Sequence, residues 1–133
     1  MANWGPYSLD GKSAIVTGGA MGIGFAIASR FMEAGATGLI ADYDGPAAQA
    51  AVERLGGDPA RVAWIQADVS HANAGTAMVE RAVLSFGRLD VLVNNAGIFP
   101  IAPALEMTPE FFDHVIAVNL RVRRSPRRRR RGA

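Results

Sequence analysis

The sequence predicts an α/β domain, a doubly wound parallel sheet built from βα units in series. Three observations carry this reading. Short apolar runs alternate with helix-spaced apolar patterns from Lys12 to Leu120. A glycine-rich turn, Thr17-Gly18-Gly19-Ala20-Met21-Gly22-Ile23-Gly24, joins the first run to the first helical pattern. The fourth run, Leu89 to Val93, contains Val-Leu-Val, which suits a strand covered on both faces.

Taken in order, Ala14-Ile15-Val16 is the first strand, and the helix after the glycine turn repeats Ile23, Ala26, Ile27, Phe31 and Ala34 before Gly35 stops it. Gly38 to Asp42 is the second strand. Gly45-Pro46 opens the second helix with proline at its first position; Ala48, Ala51, Val52 and Leu55 mark the buried face, and Gly56-Gly57 ends it. Val62 to Ala67 is the third strand. Ser70 is placed to cap a third helix with Val79, Ala82, Val83 and Phe86 inward, and Gly87 ends that helix. After Leu89–Val93 and a proline-containing loop, Thr108-Pro109-Glu110 starts a fourth helix whose apolar face includes Phe112, Val115 and Ile116. Four parallel units with right-handed crossovers give the strand order 3-2-1-4, with the glycine turn at the switch point between strands 1 and 4. The pattern stops before the second half of such a fold.

Half of the residues are apolar, enough for a core in one small domain. The absence of cysteine removes disulfides and thiolate metal sites, and His71 and His114 have no ligand-type neighbours in sequence, so no metal is expected. Met1 to Gly11 lacks the charge and apolar core of a signal peptide, and no apolar run reaches membrane-spanning length; the expectation is a cytoplasmic protein with no membrane partner. Eight of the fourteen basic residues lie in Arg121–Arg131. Residues 1–120 therefore hold six basic and twelve acidic residues, a formal net charge of −6. That body is no nucleic-acid binder by charge.

The glycine turn has a definite physical use. Gly18 lets the chain turn tightly off the strand, Gly22 leaves room for a pyrophosphate to approach the backbone, and Gly24 lets the helix lie close to its strand. The helix start then presents free N–H groups and partial positive charge to phosphates. Asp42 ends the second strand 24 residues after Gly18, where a carboxylate can accept hydrogen bonds from ribose hydroxyls and repel a 2′-phosphate. Met21 and Tyr43 offer no positive charge to such a phosphate, so NAD is favoured over NADP. The plainer alternative is that Asp42 only solvates a strand end. Asp68, by itself, reads as a helix cap, and Asn94-Asn95-Ala96-Gly97 as a turn. Asn119 falls at i+7 from Phe112 and points a polar amide at an apolar face; a core Asn bonded to backbone is the simple explanation.

With Thr17 ahead of its first glycine and Ile23 between its last two, T-G-x-x-x-G-I-G resembles the cofactor motif of the short-chain dehydrogenase/reductase family. N-N-A-G after the fourth strand is similar to that family's second signature. The two motifs, with Asp42 between them, span Thr17 to Gly97 in the right order, and residues 12–120 are identified as a member by resemblance. The resemblance implies a Rossmann-like fold and hydride transfer between a nicotinamide dinucleotide and a small alcohol or carbonyl substrate. It implies that Thr17, Gly18, Met21, Gly22, Ile23, Gly24 and Asp42 hold the cofactor. Asp68 and Val69 would border the adenine, while Asn95, Ala96 and Gly97 would line the cofactor and stabilise the sheet. Through Val118-Asn119-Leu120, Asn119 matches the family's active-site Asn, whose proton relay depends on a downstream Lys.

There the pattern breaks. The family's catalytic Tyr is followed four residues later by Lys, but Tyr7 and Tyr43 are followed at that spacing by Gly11 and Ala47. Lys12 is the one lysine, and Ser125 lies too close to Asn119 to be the catalytic Ser. The expectation is a cofactor-binding half, residues 1–120, inactive alone, with residues 121–133 a separate arginine-rich tail. A run like Arg127–Arg131 is disordered in isolation. A genuine tail of this kind would contact nucleic acid or another anionic surface. Loss of the coding frame near residue 121 is the competing explanation, and the abrupt loss of helical register favours it.

Overall fold

The apolar runs form four parallel strands: β1 (Ser13–Thr17), β2 (Thr37–Asp42), β3 (Val62–Gln66) and β4 (Val91–Val93). They alternate with α1 (Gly22–Glu33), α2 (Gly45–Arg54), α3 (Ala74–Phe86) and α4 (Pro109–Asn119). The structure is a computed structural model and describes residues 4–120; the arginine-rich tail, on which the disordered-arm and lost-frame readings fall, lies outside the described residues. The sheet order is β3-β2-β1-β4, as the sequence predicts. β1 is the spine: Ile15 lies opposite Leu39 of β2 and Leu92 of β4, and all five β1 residues are buried. No helix of the described residues is long and apolar enough to cross a membrane.

Strand alternation divides the core into two layers. On one face Val16, Ile40 and Val62 pack with Ala28 and Met32 of α1 and Ala48 and Ala51 of α2. On the other, Ile15, Leu39 and Ala63 pack with Met78 and Ala82 of α3. Helices therefore cover both faces, the architecture of a Rossmann-like fold.

The caps of α2 and α4 follow the expected chemistry. Asp44 Oδ1 accepts from Ala47 N at 2.9 Å, Thr108 Oγ1 accepts from Phe111 N at 3.2 Å, and a proline opens each helix. Other details differ from the sequence reading. Ser70 does not cap α3; its hydroxyl donates to Asp68 at 2.6 Å, and the helix starts only at Ala74. The inward stripe of α3 is Ala74, Met78 and Ala82, leaving Val83 exposed. In α1 it is Gly24, Ala28 and Met32, so Ile23 and Ala26 face outward. Gly24 takes the inward side because a Cβ there would collide with Gly18 O in the turn after β1. Phe112 is also exposed, and α4 buries no residue fully. β4 begins at Val91 rather than Leu89; at Asp90 the main-chain N–H still donates to Ser13 O at 2.9 Å, but the side-chain carboxylate takes Ser13 N at 2.9 Å and accepts from Nε and Nη2 of Arg88 at 2.7 Å.

Candidate functional site

The site lies at the carboxyl ends of β1, β2 and β4, whose following residues line it. Gly18 adopts φ +62°, and a Cβ there would come within 3.0 Å of Ala96 Cα, so both turn geometry and closeness demand glycine. Directly behind it, a Cβ on Gly24 would collide with Gly18 O and lie 2.6 Å from Asn95 Nδ2. The start of α1 is thus seated on the turn. Gly22, at φ +57°, has nothing within 4 Å of where its Cβ would stand, and so leaves the helix start open.

Thr17 ties the two signature loops together. Its hydroxyl donates to Val93 O at 3.2 Å and accepts from both Asn95 N and Ala96 N at 3.0 Å. The Asn95 amide donates back to Thr17 O at 3.1 Å and Gly18 O at 3.2 Å. Unpaired carbonyls of the turn are satisfied, and the β4 loop is locked to β1. Asp42 does the same from the other side: Oδ2 accepts from Ala20 N at 3.1 Å and Oδ1 from Asp44 N at 3.0 Å. At the far edge, Asn119 Oδ1 accepts from Ile98 N and its Nδ2 donates to Ile98 O, each at 2.9 Å. This two-point bond joins α4 to the loop after N-N-A-G.

These elements enclose an open cavity of about 540 Å³. Of the residues singled out from sequence, Gly18, Met21, Asp42, Asp68, Val69, Asn95, Ala96 and Gly97 line it. Thr17 is buried beneath it and Gly24 lies under Gly18; Gly22 and Ile23 sit exposed at the start of α1, outside the lining. Asn119 does not line it either, and Ile98 and Val118 stand there instead. Tyr43, Ala67 and His114 complete the wall. Most of these additions adjoin a residue already singled out. His114 had a signal of its own, one helical turn before Val118 on the same face of α4.

Asp68 sits at the cavity rim with two donors on Oδ1, Ser70 N at 2.9 Å and the Ser70 hydroxyl. Those bonds hold its carboxyl below the usual carboxylate range; partial burial opposes them, and the imidazoles of His71 and His114 add a smaller pull downward. His71 Nε2 stands 3.7 Å from Asp68 Oδ2. His114, far away in sequence, lines the same cavity as Asp68. No Lys or Arg among the described residues lines the cavity.

A model of the short chain dehydrogenase family matches residues 12–122. The chain belongs to the short-chain dehydrogenase/reductase family. Among curated family members it is 44% identical over 113 residues to an uncharacterised oxidoreductase of Mycobacterium bovis, covering 85% of this chain and 45% of that one. It is 40% identical over 114 residues to the D-threitol dehydrogenase of Mycolicibacterium smegmatis, covering 86% and 44%. A crystal structure of 3-ketoacyl-(acyl-carrier-protein) reductase from Brucella melitensis complexed with NADH superposes with a TM-score of 0.80 at 39% identity, over 86% of this chain and 47% of that one. The chain thus spans about half the length of the family members it matches.

Proposed function

We propose that residues 12–120 form the nicotinamide dinucleotide site of an oxidoreductase that moves hydride between the nicotinamide and a small alcohol or carbonyl substrate, with NAD preferred to NADP. The observation that carries this is the convergence of the glycine turn, the Asp42 carboxylate and Asn95–Gly97 on one cavity. The bound dinucleotide would supply the hydride acceptor or donor. The residues present fit such a ligand. Each Asp42 oxygen already accepts one main-chain N–H, and each keeps a lone pair for a ribose hydroxyl. The same carboxylate, in a wall without Lys or Arg among the described residues, would repel a 2′-phosphate. The open start of α1 offers unpaired N–H groups and the positive end of the helix dipole to a pyrophosphate.

In this reading Asp68 and Val69 border the adenine, and Asn95, Ala96 and Gly97 line the cofactor while keeping β1 and β4 together. Asn119 holds the place of the family's active-site Asn, with its amide fixing Ile98. Residues 1–120 act as the dinucleotide-binding unit, distinct from residues 121–133, and the setting is cytoplasmic. Since residues 1–133 contain no Tyr followed four residues on by Lys, this polypeptide by itself is expected to bind dinucleotide without turning it over.

Titration of the purified chain with NADH and NADPH, followed by nicotinamide fluorescence, tests the proposal. NADH should bind roughly tenfold more tightly than NADPH, and Asp42→Ser should close that gap. Equal or tighter binding of NADPH overturns the preference, and failure of both to bind overturns the site. NADH-dependent carbonyl reduction by the same sample would refute the inactivity.

A further inference from the structure

β4 presents an unprotected sheet edge. Val91, Leu92 and Val93 pair with β1 on one side, and no strand of the described residues pairs with them on the other. Asp90 N–H donates to Ser13 O, so by strand alternation Leu92 also turns to β1, while Val91 and Val93 direct their N–H groups outward. Sheet edges are commonly blunted by a charge, a proline or a bulge. Here the strand is Val-Leu-Val, and the adjacent Asp90 carboxylate is drawn onto Ser13 N and Arg88. The chain that follows leaves the edge open too, because Asn95 and Ala96 are bonded to Thr17 of β1.

We propose that this edge is an interface between two copies of the chain, joined antiparallel about a two-fold axis at Leu92. The strand reads the same in both directions, so Leu92 meets its counterpart and Val91 meets Val93 across the axis. Opposed residues of an antiparallel pair share one face of the sheet. Leu92 packs with the layer of Ile15 and Leu39, and Val93 with that of Val16 and Ile40, so pairing continues both core layers from one copy into the next. Val93 N–H of each copy then meets the Val91 carbonyl of the other. Antiparallel pairing also brings exposed apolar patches together. Phe99, Ile101, Leu105 and Phe112 follow the carboxyl end of β4, while Val83 and Leu84 lie on α3 shortly before its amino end. The first patch of one copy therefore lies toward the second patch of the other. These side chains expose roughly 700 Å² of apolar surface per copy. A pair would bury on the order of 1,400 Å², against the roughly 1,200–2,000 Å² of a stable interface. Long-range repulsion is small, because the whole chain has a formal net charge of +2. The pairing does not depend on the dinucleotide reading.

The test is sedimentation velocity of the full 133-residue chain over a range of concentrations, in about 0.15 M and about 0.5 M NaCl. A monomer–dimer equilibrium should appear and persist in the higher salt. The double variant Phe99→Lys/Ile101→Lys changes only exposed side chains and should raise the dimer Kd about tenfold or more. The chain has no cysteine, so Leu92→Cys reads the geometry directly. Opposed Cα atoms at such a pair stand about 4.5 Å apart, within disulfide reach, and mild oxidation should give a covalent dimer. A monomer at every concentration assigns this face to a different polypeptide and overturns the proposal. Growth past the dimer, dissociation in the higher salt, an unchanged Kd in the double variant, or no disulfide in Leu92→Cys overturns it as well.

Discussion

Thr17 hydroxyl, Asp42 carboxylate and Asn95 amide each serve two or more main-chain groups, so the site is built from side chains that replace missing backbone partners. Replacing Thr17 with Val keeps its shape but takes the hydroxyl acceptor from Ala96 N–H and leaves Asn95 N–H only Val93 O; unfolding in urea should show a loss of about 1–3 kcal/mol. Gly24→Ala should cost a comparable 1–3 kcal/mol and weaken NADH binding, because the new methyl meets Gly18 O and Asn95 Nδ2. Asp68 gives a pH-dependent case. Its folded-state carboxyl is depressed by Ser70, so its contribution is present above the ordinary carboxylate range and is lost as pH falls through the lower folded value. Ser70→Ala should accordingly be less stable than wild type near neutrality, with the difference shrinking toward pH 2. A difference that grows in acid would contradict this sign.

At the scale of elements, the sequence was most legible where a single local rule decides the outcome. The four βα units, their order and the proline-opened helices follow from apolar runs, glycine stops and caps. Helix rotation was less legible. α1 turns Gly24, Ala28 and Met32 inward, not the larger Ile23, because a contact with Gly18, six residues earlier, outranks the hydrophobic pattern. The Ser70 cap failed because α3 begins only at Ala74, which leaves Ser70 in the preceding turn with its hydroxyl donating to Asp68. Eight of the expected site residues line one cavity; Thr17 is buried beneath it, Gly24 lies under Gly18, and Gly22, Ile23 and Asn119 stand outside its lining. The contribution of α4 was the hardest to foresee, since it depends on how one helix is tethered. Asn119 makes that tether, and Asn119→Ala should speed amide exchange at Ile98 and along α4 while β1 to β3 keep their protection. Equal protection in α4 after the substitution would show that packing alone holds it.

Across the whole molecule, burial is uneven. β1, β2 and the inner faces of α1, α2 and α3 form a closed core, but β4 is only half-buried and pairs with β1 alone. The segment after it exposes Phe99 (91%), Ile101 (87%) and Leu105 (101%), and Phe112 of α4 is 54% exposed. A strand edge beside so much apolar surface favours association. Sedimentation of the 133-residue chain should therefore show concentration-dependent self-association, and a monodisperse monomer with a sharp thermal transition would count against it. The cavity proposed to hold the dinucleotide hangs on the buried strands, whereas the loop and helix beyond Gly97 are held chiefly through Ile98.

The most direct test of the dinucleotide site is an amide-resolved NMR titration of the chain with NADH. The largest shifts should fall at Gly18 to Gly24, at Asp42 and at Asn95 to Gly97, with β3 and the outer face of α2 undisturbed. Shifts centred elsewhere, or none at saturating NADH, would contradict it.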